Sequence, residues 1–316
     1  MSHKLCPRRN VIAEIAFLAV ILSWLPAFTW LAHAAVEELS GPYLGQNAPG
    51  STPRLFASGI VSVRADFEHS AATFSPDRQE IYWCTNVGAR TNPPGAGQKL
   101  YVMRQIDGVW TTPEIAPFTQ DIAGAVQRPV FSPDGTRLYF EVLGEPPAND
   151  DSDIYVVERE ADGWSEPTPM FPAINTASIE RLHCITPDGS MIFSRNPFTD
   201  RERMYLSRFV EGAFTEPEVL GEPFDSPAHE LAVVIAPDES YALIAVTYTG
   251  LEDELYISYK QADGAWSERI RAPYACGGFL AISPDGAYLF FLGEGIYWVD
   301  TSFVERSRTE DVDRTG

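Results

Sequence analysis

A short motif recurs five times along this chain, and it restricts the fold more than any other feature. The copies are Phe74-Ser75-Pro76-Asp77, Phe131-Ser132-Pro133-Asp134-Gly135, Ile185-Thr186-Pro187-Asp188-Gly189, Ile235-Ala236-Pro237-Asp238 and Ile282-Ser283-Pro284-Asp285-Gly286. Their aspartates, Asp77, Asp134, Asp188, Asp238 and Asp285, stand 57, 54, 50 and 47 residues apart. A fixed period of this size belongs to solenoids, arrays and propellers. Chemically the motif is a tight turn. Pro presets φ, Asp bonds its own backbone, and Gly tolerates positive φ.

Two further markers follow the turns in constant order, the first after all five and the second after four. Tyr101, Tyr155, Tyr205, Tyr256 and Tyr297 each lie in an apolar run that reads as a third strand. Asp107-Gly108, Asp162-Gly163, Glu211-Gly212 and Asp263-Gly264 then turn the chain into a fourth strand near Trp110, Trp164, Phe214 and Trp266. Four antiparallel strands in about fifty residues make a propeller blade. A helical alternative is poor, because Pro and Gly interrupt the chain too often for helices of ordinary length. The fold expected is all-β, a five-bladed β-propeller; six blades is the competing count, but no sixth marker set exists.

The last repeat lacks its fourth strand. The piece Leu55-Phe56-Ala57-Ser58-Gly59-Ile60-Val61 stands before the first turn as an unaccompanied fourth strand. Pairing it with the last blade would close the ring and remove its open edges. The expected layout is a signal peptide over 1–34, a linker over 35–53, the propeller over 54–303 and a tail over 304–316.

The N-terminus reads as an address. Lys4, Arg8 and Arg9 precede an apolar run from Val11 to Ala32, which ends in the small-residue site Ala32-His33-Ala34. That is the layout of a secretory signal, placing the protein in the periplasm or outside the cell. An uncleaved membrane anchor is the alternative, since the run is about long enough to span a bilayer. After cleavage Cys84, Cys184 and Cys276 remain, an odd number without a C-x-x-C spacing. No thiolate metal site, redox motif or cofactor is implied.

The pattern Ser-Pro-Asp-Gly-x-x-aromatic resembles the WD-repeat-like propeller repeats of the TolB type. The resemblance covers nearly all of the chain after residue 34. It implies the propeller fold, and it is shared by protein-binding scaffolds of the bacterial envelope and by domains attached to peptidases. It names no ligand. Asp77 is followed by Arg78 and Asp238 by Glu239 where the pattern has Gly, which leaves the geometry of those two turns open.

Composition removes some partners. With 23 Lys+Arg against 44 Asp+Glu and a net charge of −21, the chain is unsuited to nucleic acid or to an anionic membrane surface. The partners expected are an envelope protein or a small-molecule or glycan ligand, with membrane contact only through an uncleaved signal.

Candidate site residues come from the loops that lead into the innermost strands. Aligned on the turn prolines, these loops carry Glu68, His69, Gln127, Arg128, Glu180, Arg181, His229 and Glu230. They would gather at the mouth of the central channel as a polar pocket. The neighbours Glu68-His69, Glu180-Arg181 and His229-Glu230 could instead be ion pairs that plug it. A carbohydrate-active reading would use Glu68, Glu180 and Glu230 as acid and base or nucleophile. In the fifth blade Cys276-Gly277-Gly278 has no bulk and would leave the ring open on that side. The acidic loop 149–153 and the pair His69 and His229 are weak metal candidates. The long loop from Val87 to Gln98 is a candidate binding surface.

Overall fold

The computed structural model describes residues 39–63, 67–68, 70–86, 97–144, 152–196, 202–226, 229–247 and 253–315. The expected signal peptide, His69, residues 149–151 of the acidic loop and most of the Val87–Gln98 loop lie outside them.

The chain forms a five-bladed β-propeller. Blade one pairs Phe67–Glu68 and Thr73–Phe74 with Glu80–Asn86, then Lys99–Ile106, then Val109–Trp110 and Glu114–Ile115. Blade two runs outward from Ala125–Phe131 through Arg137–Leu143 and Ser152–Glu160. Blades three and four begin at Ile179–Ile185 and His229–Ile235. Blade five begins at Leu280–Ile282 and continues through Tyr288–Leu292 to Ile296–Asp300.

The second strands show why such a sequence must fold this way. Runs such as Leu138-Tyr139-Phe140 have no polar alternation, which suits a strand buried on both faces. Successive side chains point to opposite sides. Phe140 joins the apolar cluster shared with Tyr82 of blade one, and Tyr139 joins the cluster shared with Phe193 of blade three. Phe290 and Phe291 divide in the same way, toward blades one and four. The core is therefore a set of interfaces between blades. Trp164 belongs to one of them, donating from Nε1 to the Tyr82 hydroxyl across the blade boundary (2.9 Å).

The repeat turn works as a clamp. Ser75 Oγ donates to Asp77 Oδ1 (2.6 Å), the Gln79 N–H donates to the same oxygen (3.0 Å), and the Glu80 N–H donates to Ser75 Oγ (2.9 Å). Ser132 and Asp134 repeat the arrangement at 2.6 Å. The Ser132 hydroxyl and the Thr136 N–H hold the Asp134 carboxyl below its ordinary range. The two turns without Gly keep the common geometry. Arg78 and Glu239 take φ of 60° and 58°, close to the 70° of Gly135. A side chain in that region is strained by about 1–2 kcal/mol. Glu239→Gly should therefore raise stability by about 0.5–1 kcal/mol, after the added flexibility of Gly is subtracted. An unchanged or lower urea midpoint would contradict this.

The N-terminal strand closes the ring. Arg54 and Leu55 pair antiparallel with Trp298 and Tyr297 of the last blade. The segment expected as a linker is packed rather than loose. Tyr43 and Leu44 are buried beside Phe56 and Phe74, and Gly41 O accepts from Trp110 Nε1 (2.8 Å). The C-terminal tail is a helix, Phe303–Thr315, whose first residues Phe303 and Val304 are buried against blades four and five. Among the described residues no helix is long and apolar enough to cross a membrane.

Candidate functional site

Three innermost strands break their pairing register. The breaks fall between Gln127 and Val130, between Leu182 and Cys184, and between Glu230 and Ala232. Such bulges re-aim side chains. The first two bring Arg128 and His183 to the axis, where both line a central cavity of about 450 Å³. All five blades contribute to its wall. The repeat prolines Pro76, Pro133, Pro187, Pro237 and Pro284 surround it at the turn face of the ring. Most of the remaining wall is aliphatic or aromatic.

Arg128 is the unusual member. Its φ is 52°, although it precedes Pro129. Backbone strain of this kind concentrates at binding and catalytic sites. The guanidinium reaches across the axis and lies 4.1 Å above the ring of Phe279, in blade five. Its Nε stands 3.1 Å from Glu141 Oε1, a contact that is ionic but not an aligned hydrogen bond. Among the described residues neither terminal nitrogen donates a hydrogen bond.

Glu141 is fully buried and ties two blades together. It accepts from Gln127 Nε2 (2.7 Å) within blade two and from the Leu182 N–H (2.7 Å) of blade three. Burial raises its pKa, while the adjacent guanidinium of Arg128 opposes that rise. Burial likewise lowers the pKa of Arg128, against the pull of Glu141.

A second buried chain of bonds lies beside the first. Arg181 Nη1 pairs with Glu202 Oε2 (3.2 Å), Ser194 Oγ donates to Glu202 Oε1, and His183 Nε2 is 2.9 Å from Ser194 Oγ. Ser194 has one proton and gives it to Glu202, so His183 must donate from Nε2. Its Nδ1 is then a bare acceptor, buried and without a partner among the described residues. Burial first, then the charges of Arg128 and Arg181, hold the imidazole pKa well below its ordinary value, so His183 is neutral.

Of the eight residues expected at the axis, Arg128 lines the cavity and His69 lies outside the described residues. Glu68, Gln127, Glu180, Arg181, His229 and Glu230 do not reach its wall. The glutamates anchor the loops leading into their strands. Glu180 accepts from Thr176 N–H (3.1 Å), Thr176 Oγ1 (2.6 Å) and Arg195 Nε (2.9 Å). Glu230 repeats this with the Ser226 N–H (3.0 Å), the Ser226 hydroxyl and Arg269 Nη1 (3.2 Å). Glu68 accepts from the Val63 N–H (2.8 Å). The ion pairs are thus Glu180–Arg195 and Arg181–Glu202, not the sequence neighbours Glu180 and Arg181. His229 is half-buried opposite Thr247. Glu180 and Glu230, two of the glutamates that the glycan-hydrolysis reading would use, are thus enclosed and bonded, and neither lines this cavity.

The glycines of blade five are not an opening. A Cβ on Gly277 would lie 2.7 Å from Leu292 O, and one on Gly278 would lie 3.0 Å from Leu231 Cβ. Gly277 allows a close approach within blade five, and Gly278 allows blades four and five to approach closely. Sequence reasoning missed Glu141, His183, Ser194, Glu202 and Phe279. Two of these carried a signal: Glu141 and His183 are isolated polar residues within apolar strands.

A larger groove, about 810 Å³, lies between blades one and two beside Trp164. Within it Glu80 is held by Arg104 (3.2 Å) and Arg159 (2.6 Å). Among the described residues no group of three or more His, Cys, Asp or Glu side chains is placed to hold a metal ion. None of Cys84, Cys184 and Cys276 is in a disulfide.

No known protein family and no curated protein matches the chain. Solved structures resemble it distantly. TolB from Acinetobacter baumannii is 15% identical with a TM-score of 0.45, over 75% of this chain and 55% of that one. The periplasmic gluconolactonase of Pseudomonas aeruginosa is 16% identical with a TM-score of 0.40, over 70% of this chain and 64% of that one. A nidogen–laminin complex contributes a chain 13% identical with a TM-score of 0.48, over 75% of this chain and 77% of that one. The chain thus spans less than two thirds of the first two proteins. The five-bladed architecture rests on strand pairing, not on these likenesses.

Proposed function

We propose that the protein is a binding module that takes a small molecule into its axial cavity. One observation carries this reading. A buried guanidinium, Arg128, ends a largely apolar cavity without one aligned hydrogen bond to a described residue. Buried polar groups are ordinarily satisfied, and one left open at a cavity is a feature of a site made for a ligand. The volume of about 450 Å³ falls within the range of small-molecule sites. If the N-terminal segment acts as the export signal that its sequence resembles, the ligand is met outside the cytoplasm.

Filling the cavity tests this. Ala281 lines it and is only partly buried, so Ala281→Phe should occupy the space with limited disturbance of the core. A thermal-shift screen of small organic molecules should yield ligands that stabilise the unmodified chain. Saturation at a hundredfold excess over Kd is worth about 2.7 kcal/mol. The same molecules should leave Ala281→Phe unmoved. Ligands that stabilise both proteins equally, or none at all, would overturn the reading.

A further inference from the structure

We infer that the ligand is an uncharged molecule with an apolar body and a carbonyl-type acceptor at one end, seated against Arg128. The inference rests on the axial cavity being the binding site.

Charge balance is the first ground. Among the described residues Arg128 is the one formally charged residue on the cavity wall, which there offers a donor and no carboxylate. Yet that charge is already matched by Glu141 at 3.1 Å, and the nearby Arg181 is matched by Glu202 at 3.2 Å. His183 adds no charge, because it is buried beside Arg128 and Arg181, which disfavours the imidazolium, and its Nε2–H is given to Ser194. The floor is therefore neutral as a whole. An anion placed on it would be a buried charge without a counter-charge, which is strongly unfavourable.

Hydrogen bonding is the second ground. Among the described residues the Arg128 donors find no aligned acceptor while the charge is balanced, and that combination asks for an acceptor rather than an anion. An amide, ester or ketone oxygen answers it at no charge cost. Besides Arg128 and His183, the nitrogen- or oxygen-bearing side chains on the described wall are the hydroxyls of Ser70, Thr73 and Ser132. Away from the floor, the Ser132 hydroxyl is committed to Asp134, and the Ser70 Oγ accepts from the Cys84 N–H. Phe74, Phe131, Val234, Ile282 and the five prolines remain to enclose an apolar body. The net charge of −21 acts in the same direction by repelling anions from the whole surface.

A matched series tests it: octanamide, methyl octanoate and octanoate, measured by calorimetry on the full chain and on Ala281→Phe. At neutral pH the amide and the ester should bind at least about tenfold more tightly than octanoate. Octanoate should gain about tenfold in affinity for each unit of falling pH above its own pKa, because the neutral acid is the bound species. Octanamide should not change over the same range, and Ala281→Phe should abolish binding of all three. If octanoate binds as tightly as octanamide with a flat pH profile, and Ala281→Phe still abolishes it, the cavity reading stands and the uncharged-ligand inference falls. If none of the three binds, or if Ala281→Phe binds them unchanged, both fall together.

Discussion

Replacing Glu141 with Leu should destabilise the fold by about 3–5 kcal/mol, the cost of leaving one member of a buried ion pair alone. Glu141 is fully buried and its partner Arg128 nearly so. With the carboxylate gone, the guanidinium keeps its charge in a cavity whose other walls are mostly apolar. The Leu182 N–H and the Gln127 amide lose their acceptor at the same time. Removing both charges should behave differently. The double variant Arg128→Met/Glu141→Leu takes away the stranded cation, and apolar replacement of a buried pair is often near neutral. It should recover at least half of the lost stability in urea unfolding. A single substitution costing under about 1 kcal/mol, or a double variant at the sum of its parts, would show that the pair is not buried as described.

The second large effect concerns ring closure. Phe56→Ala should cost about 3–5 kcal/mol. Phe56 is fully buried, with its ring 5.1 Å from Phe290 and 5.2 Å from Trp298 of the last blade, and 6.1 Å from Phe74 of the first. It follows directly on the closing strand, and its N–H donates to Ile296 O (2.8 Å). Ser62 continues the edge with its side chain: Oγ accepts from the Ile296 N–H (3.0 Å) and donates to Ile296 O (3.2 Å). Loss of this packing should free the last blade before the rest. Amide exchange in Ile296–Asp300 should accelerate more than in Arg137–Leu143 of blade two. Equal acceleration in both, or a cost under about 1 kcal/mol, would mean that the clasp is not what holds the ring.

The architecture was legible because its information is local. Each Ser-Pro-Asp turn contains its own hydrogen-bond acceptors, and each Tyr run its own strand propensity. Closure was legible because a fourth strand without three companions has one place to go in a ring. The site was harder for a physical reason. Which side chains face the axis depends on the register breaks at Arg128 and His183, and a bulge leaves no residue pattern of its own here. The glutamates at Glu180 and Glu230 stood out as charged residues at equivalent places, and that recurrence was real. It reflects a shared loop anchor, with Thr176 and Ser226 four residues earlier supplying a hydroxyl and an N–H to each carboxylate. Glu141 was overlooked because its partners come from a neighbouring blade and from the bulge. The segment just before residue 54 packs on the ring through two apolar side chains. Tyr43 and Leu44 are too apolar to remain in solvent beside an exposed blade edge.

If Arg128 anchors the ligand, its own guanidinium must report the binding. The Nε–H resonance of Arg128, identified by its absence in Arg128→Met/Glu141→Leu, can be followed by NMR while octanamide is added. That resonance should shift and saturate with the calorimetric Kd. Octanamide binding that moves other resonances and leaves the Arg128 signal in place would contradict it.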